Sequence, residues 1–445
     1  MSVNLRVRGG ACRNRPMARS RYGWYVVAVL LVAYTLSYID RTILTLLVEP
    51  IKRDLGLSDT QISLLHGLAF AIFYTALGIP IARLADRASR RNIIAIGVAV
   101  WSLMTAVCGL ARTFTQLFLA RIGVGVGEAA LSPAAYSMIA DSFPEQRLGR
   151  ALGVYSSAIY AGAGCALLAG GAIAGAVTGL PALEVPLLGR VHAWQLMFFI
   201  VGLPGLLVAA WVATLREPAR QRPAGGQASA GAVVAHLGRH RFAFTAHIGG
   251  FTLLAIVFNI FVAWMPSYLL RAFDWTIRDA AFALGAGMLL FGTSGIISGG
   301  IMADRWRRGG ALDATMRVGV VSGVGLVPFT LTATTLASPW LAVALFAPLM
   351  FFSAFAFGAA VTGLQVITPP HMRAQVSAVF LFVVNLVGIG VGPTLVALLT
   401  DRVFADPLRV GESLAWIGTL SAAAGAALIA AGLAAFRAAR LPAVS

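Results

Sequence analysis

The chain has 445 residues, of which 59% are hydrophobic and 11% charged, and its formal net charge is +17. That balance excludes a soluble globular domain, and three cysteines are too few for a disulfide framework. Apolar runs of about 20 residues, enough for a helix to cross the hydrocarbon core, recur throughout.

Twelve such runs are predicted, at 23–48, 60–82, 93–111, 115–139, 150–175, 194–214, 243–270, 278–302, 315–336, 340–366, 375–399 and 413–436. Their Gly and Ala content and length favour helices over alternating barrel strands. The basic segment "RVRGGACRNRPMARSR" precedes an apolar run too long for a signal peptide and lacking a small-residue cleavage site, so that run reads as a retained first helix. With residues 1–22 placed in the cytoplasm as a basic tail, 24 Lys and Arg fall on the cytoplasmic side and 8 outside; Arg41 and Arg121, within the membrane, complete the total of 34. This is the positive-inside pattern: it explains the charge without nucleic acid and leaves both termini cytoplasmic.

The most polar stretch, 215–242, reads as a cytoplasmic linker between an N-terminal bundle (23–214) and a C-terminal bundle (243–436), with a short cytoplasmic tail at 437–445. "RLADRASRR" (83–91) recurs as "IMADRWRRG" (301–309) after the second helix of each half. "FPEQRLGRALGVY" (143–155) is echoed by "PPHMRAQVSAVFL" (369–381) after the fourth. Two matched positions imply a duplication of six helices.

Four charges lie well inside predicted spans: Asp40 and Arg41 in the first, Arg121 and Glu128 in the fourth. At about 2.5–3.5 kcal/mol each at a helix centre, lipid-facing placement is disfavoured, so they should face a cavity or one another. At about 1.5 Å rise per residue, Asp40 lies roughly 10 Å short of the outer end of its helix and Arg121 roughly 9 Å from the same surface. Those depths match. Glu128, two turns below Arg121, is nearer the midplane. One reading is a static buried salt bridge; the other is an ion or substrate path in which a carboxylate's proton affinity depends on a mobile arginine neighbour. The C-terminal half offers neutral polar groups at comparable depth, Asn259, Gln365 and Asn385, and aromatics at Phe258, Trp264, Phe291 and Phe357. His66, in "LLHGLAF", is a further candidate because its charge changes near neutral pH.

Twelve helices as six plus six, with "ADR" in both repeated loops, resemble the major facilitator superfamily across essentially the whole chain. The first loop departs from the family pattern with Ala82 and Ser89 in place of glycine, whereas the second keeps Gly300. The resemblance implies two bundles rocking about a central site, with Asp86, Arg87, Arg91, Asp304 and Arg305 gating the cytoplasmic ends. "YIDRTILTLLVEPIKRDLGLSDTQ" and "ARIGVGVGEA" further resemble the spinster-like branch. That implies proton-linked transport of amphiphiles such as lysophospholipids or sphingolipids in a bacterial inner membrane. Arg41, Arg121, Glu128, Asn259, Trp264, Gln365 and Asn385 become candidate substrate contacts, and Asp40, Arg41, Arg121 and Glu128 candidates for proton coupling. The proton is the expected coupling ion, with no other cofactor and no metal; the expected partners are membrane lipids and a small amphiphilic substrate, and the expected state is a monomer. No nucleotide-binding loop or nucleophile-and-base constellation points to an enzyme. A carrier of small organic acids or drugs, and a non-transporting receptor or scaffold, are the alternatives.

Overall fold

The computed structural model describes residues 15–177, 183–185, 189–220 and 229–440. Among them twelve helices are long and apolar enough to span a membrane: α1 Arg21–Leu46, α2 Asp59–Ala85, α3 Arg90–Cys108, α4 Phe114–Ser142, α5 Arg150–Val177, α6 Ala193–Ala213, α7 Arg241–Phe273, α8 Ile277–Arg308, α9 Ala314–Thr332, α10 Pro339–Val366, α11 Gln375–Phe404 and α12 Pro407–Ala439. Every predicted span is found, with ends shifted by several residues. The last helix shows the largest gain, because a tight turn at Pro407–Arg409 leads directly into it. Two short strands, β1 Leu183–Val185 and β2 Gly189–Val191, pair antiparallel between α5 and α6. The linker is not wholly irregular: a helix covers Ala230–Arg239, started by Ser229, whose side chain accepts a hydrogen bond from the Ala232 N–H.

Local chemistry sets several helix starts. Ser58 and Gln61 form a reciprocal capping box at α2, Ser89 caps α3, Thr113 caps α4 and Ser338 precedes Pro339 at α10. These groups satisfy N–H donors that have no partner within the helix. The short helix Val48–Leu55 ends at Gly56, whose φ of 64° a side chain would disfavour.

Helices α1–α6 form one bundle and α7–α12 the other. The bundles meet where α5 packs on α8, α2 on α11 and α1 on α7. The end of the molecule away from the linker is tied shut. Arg271, ending α7, donates from Nη1 and Nη2 to both oxygens of Asp59 at 2.7 Å and from Nε to Glu49 at 2.8 Å. Asp401, on α11, accepts from the backbone N–H of Thr60 at 2.7 Å and from its hydroxyl at 2.6 Å. Both contacts use the first turn of α2, where unpaired N–H groups and the helix dipole favour carboxylates.

Below this latch α2 and α11 touch backbone to backbone. A Cβ at Gly67 would overlap the carbonyl oxygens of Ile389 and Gly390. The contact falls in wide π-type turns of both helices, Leu64–Leu68 and Val384–Val391. Gly164 plays the same part between α5 and α8, where an added Cβ would meet the Leu289 backbone at 2.8 Å. Gly67→Ala is therefore expected to destabilise the protein by about 1–3 kcal/mol through overpacking. Gly78→Ala, on the same helix but with open space around it, should not; equal thermal unfolding of the two variants in detergent would overturn this account of the seam.

Candidate functional site

Between the bundles, on the linker side of that seam, lies a cavity of about 260 Å³. It runs from Tyr136 and Phe380 toward Thr45 and Pro393, and every one of α1, α2, α4, α5, α7, α10 and α11 contributes to its wall.

The four intramembrane charges converge beside it in crossed pairs. Arg41 does not bond its sequence neighbour; its guanidinium reaches Glu128 on α4 through Nε and Nη2. Ser37, one turn earlier on α1, donates to the same Glu128 oxygen at 2.6 Å. Asp40 instead faces Arg121, with Oδ1 and Nη1 3.5 Å apart, and accepts a hydrogen bond from the Thr105 hydroxyl on α3. The crossing follows from helix geometry, since adjacent residues point about 100° apart and must find different partners.

Asp40, Glu128 and Arg121 are 2%, 1% and 1% exposed, and of the four charges Arg41 and Arg121 border the cavity while the two acids stand behind them. Arg41 is also held by aromatic faces, its guanidinium carbon 4.5 Å from the ring centre of Phe70, 4.9 Å from Tyr74 and 5.3 Å from Tyr38. Asp40 Oδ1, Arg121 Nε and Nη1, and Glu128 Oε1 are buried without hydrogen-bond partners, so the tetrad holds unused donors and acceptors in a low-dielectric setting where they are costly.

Of the other predicted contacts, Asn259, Asn385, Phe258, Phe357 and His66 line the cavity, and His66 Nε2 is buried without a partner. Three do not belong to it. Trp264 is 1% exposed in the core of its bundle, its indole N–H donating to the Pro393 carbonyl at 3.0 Å. Gln365 sits outside the lining and donates to Ser377 at 3.3 Å. Phe291 is 42% exposed on the outer surface of α8. Helix periodicity alone does not distinguish these faces, because in a membrane both lipid and protein interior are apolar.

The aromatic lining is not confined to the C-terminal bundle. Tyr34, Tyr38, Tyr74, Tyr136 and Tyr160 of the N-terminal bundle all reach the cavity. Tyr34 stacks on Tyr155 at 4.8 Å, and Tyr160 crosses between the bundles to meet Phe258 at 5.3 Å and Phe357 at 6.0 Å, both edge-on. Aromatic chemistry is on both sides, and the charges are on one.

The repeated loops look different from each other. The side chain of Asp86 lies outside the described residues, and Arg87 is exposed. Arg91 donates to the Leu215 carbonyl at 3.3 Å. The residue that matters most for packing here is Arg90, 1% exposed, which sequence reading passed over. It pairs with Asp141 and Glu217 and donates to Ser137 at 2.9 Å and the Pro218 carbonyl at 2.8 Å. Against partial desolvation, which raises it, bonds from Ser89 and Arg90 hold the Glu217 carboxyl below its usual range. Only Ser89 as the helix cap marks Arg90 as the first, inward-facing residue. In the second loop Asp304 pairs with Arg307 of its own helix at 2.7 Å, and Arg305 is exposed. Among the described residues Asp304 and Arg305 make no clasp across the bundles, and in this arrangement the opposite end is the closed one.

The sequence profile of the Major Facilitator Superfamily matches residues 30–393. The chain belongs to that superfamily, and within it to the spinster-like branch. It is 29% identical over 391 residues to an MFS-type efflux pump of Mycolicibacterium smegmatis, covering 87% of this chain and 86% of that one. It is 28% identical over 369 residues to a probable L-galactonate transporter of Escherichia coli, covering 79% and 77%. A solved bacterial homologue of the human lysosomal transporter Spinster, inward-facing and unoccupied, superposes with a TM-score of 0.77 at 28% identity over 97% of this chain and 100% of that one. The protein is a multi-pass membrane transporter and not an enzyme.

Breaking one partner of a buried pair leaves an uncompensated charge, at about 3–5 kcal/mol. Asp40→Asn and Arg121→Gln should each lower thermal stability strongly, while the double variant recovers much of the loss. Additive losses across that double-mutant cycle would mean the two side chains are not energetically paired.

Proposed function

We propose that this transporter carries an amphiphilic, lipid-like anion together with a proton by alternating access. The observation that carries the reading is that each buried acid has a cavity-wall arginine as its counter-ion. An anion arriving at Arg121 or Arg41 competes with Asp40 or Glu128 for the guanidinium. The carboxylate that loses its partner gains affinity for a proton, and by linkage a proton on the carboxylate strengthens anion binding to the same degree. Anion and proton thus bind cooperatively.

The tyrosine and phenylalanine wall supports the amphiphile: hydroxyls and guanidinium groups meet a headgroup, and Phe258, Phe357 and Phe380 offer an apolar path for a tail. We place the linker end in the cytoplasm of a bacterial inner membrane, since most basic residues lie at that end. The latch formed by Arg271, Asp59 and Asp401 then closes the outer face, and the cavity opens inward.

A second reading has its own support. A volume of about 260 Å³ is below the usual range for drug-sized ligands, roughly 300–1,000 Å³, and would suit a small organic acid held by both arginines.

The experiment is proton flux in liposomes containing the purified protein and an internal pH dye, challenged with lysophospholipids, sphingoid phosphates and small organic acids. Flux with the amphiphiles is the expected result; flux with small acids alone would select the second reading, and binding without flux would leave a receptor. Neutralising either acid, as Asp40→Asn or Glu128→Gln, should abolish proton-linked uptake in protein that still folds. Unchanged pH dependence in Glu128→Gln would remove Glu128 from the coupling.

A further inference from the structure

Asp40 has two differently placed oxygens. Oδ1 faces Arg121 Nη1 from α4, while Oδ2 meets the Thr105 hydroxyl from α3. Cys108 lies one turn along α3 from Thr105, and Glu128 and Arg41 act on Asp40 from the second pair. Thr105 is completely buried, and its Oγ1 is also 2.9 Å from the carbonyl oxygen of Trp101, one turn earlier in the same helix.

A hydroxyl donates one hydrogen and accepts through two lone pairs. Thr105 therefore serves Asp40 or Trp101 as donor, never both at once. When Asp40 is ionised, the hydroxyl hydrogen belongs on Oδ2, the charged and stronger acceptor. When Asp40 is protonated, an O–H on Oδ1 would point at a guanidinium, which has donors only. On Oδ2 the proton finds a Thr105 lone pair, and the hydroxyl hydrogen turns to the Trp101 carbonyl. Both states are satisfied by one rotation about the Thr105 Cβ–Oγ1 bond, with no heavy atom moved.

The second pair lacks this symmetry. Glu128 Oε2 accepts from Ser37 and from two guanidinium nitrogens of Arg41 together, and among the described residues its Oε1 meets no hydroxyl or carbonyl that could receive a proton from it.

We propose that Thr105 is the positioning residue for the transported proton: it directs that proton to Oδ2 of Asp40 and keeps the buried acid hydrogen-bonded in both of its states. The inference rests on the proton-coupled reading above and assigns the transported proton a seat on Asp40. In the step, the proton bonds to Oδ2, the Thr105 hydrogen swings to Trp101, and Arg121 keeps its protons but loses its counter-charge, which frees it for the substrate anion.

The test is the pH profile of substrate-driven proton uptake in the liposome assay for Thr105→Val and Thr105→Ser. Valine keeps the shape and removes both donor and acceptor; because the lost bond to the charged form is the stronger one, the pH of half-maximal uptake should rise by about one unit, a tenfold change in proton affinity. Serine restores the hydroxyl and should restore the wild-type profile. If the valine protein does not fold, Thr105→Cys, with its weak thiol donor, must move the midpoint in the same direction. A wild-type profile in Thr105→Val or, failing that, in Thr105→Cys overturns the role of Thr105, as does a serine variant that stays shifted. Absence of proton flux in the wild-type protein would instead defeat the underlying transport reading.

Discussion

The constraint on which the rest depends is the cost of a bare charge in hydrocarbon. Two acids and two arginines sit at membrane depth in one half of the molecule, and none can be left to lipid. Their solution is crossed pairing between α1 and α4, with each acid behind an arginine. That pairing fixes the register of the two helices against each other and against α3, through Thr105. It also puts the two arginines, strong anion-binding groups, on the cavity wall.

Closure of the far end is built from different material. There the Asp59 carboxylate is fully buried and meets Arg271 in a bidentate pair, while the half-buried Asp401 is directed at a helix N-terminus, so orientation adds to what burial gives. Beneath them, Gly67 and Gly164 let helices of the two bundles meet at backbone distance. Association of helices in a membrane has little hydrophobic drive and relies on such close packing. A latch of ions at the rim and a seam of small residues below it can both separate without exposing apolar surface to water, which suits an interface that must open and reclose.

Much of this was legible in the sequence, and the failures share one cause. Span count, two-bundle organisation and the matched depths of Asp40 and Arg121 follow from length, charge and helical rise, which are one-dimensional quantities. What side a residue faces is not. Trp264 and Gln365 lie at the right depth and point away from the cavity, while Tyr34, Tyr74 and Tyr160 point into it, and their spacing resembles that of any packed aromatic. Arg90 lies between two arginines of similar promise and differs only in being the first residue after a capping serine. The latch between Arg271, Asp59 and Asp401 joins segments hundreds of residues apart, and no local pattern announces it.

Charge balance ties the site to the proposed cycle. With both acids ionised and both arginines protonated the tetrad is neutral, so the empty cavity carries no net charge from these groups through a conformational change. A monoanion bound alone would leave one uncompensated negative charge in a low-dielectric chamber. A single proton on Asp40 restores neutrality and makes the loaded state as easy to move as the empty one. In the proposed cycle the state with an anion and no proton is the expensive one, and its cost would oppose uncoupled leakage. A headgroup carrying two negative charges would need a second proton, and with Glu128 Oε2 already taken by Arg41 and Ser37, the substrate itself is the group best able to carry it. The same geometry that pairs the charges therefore favours a headgroup that crosses as a monoanion.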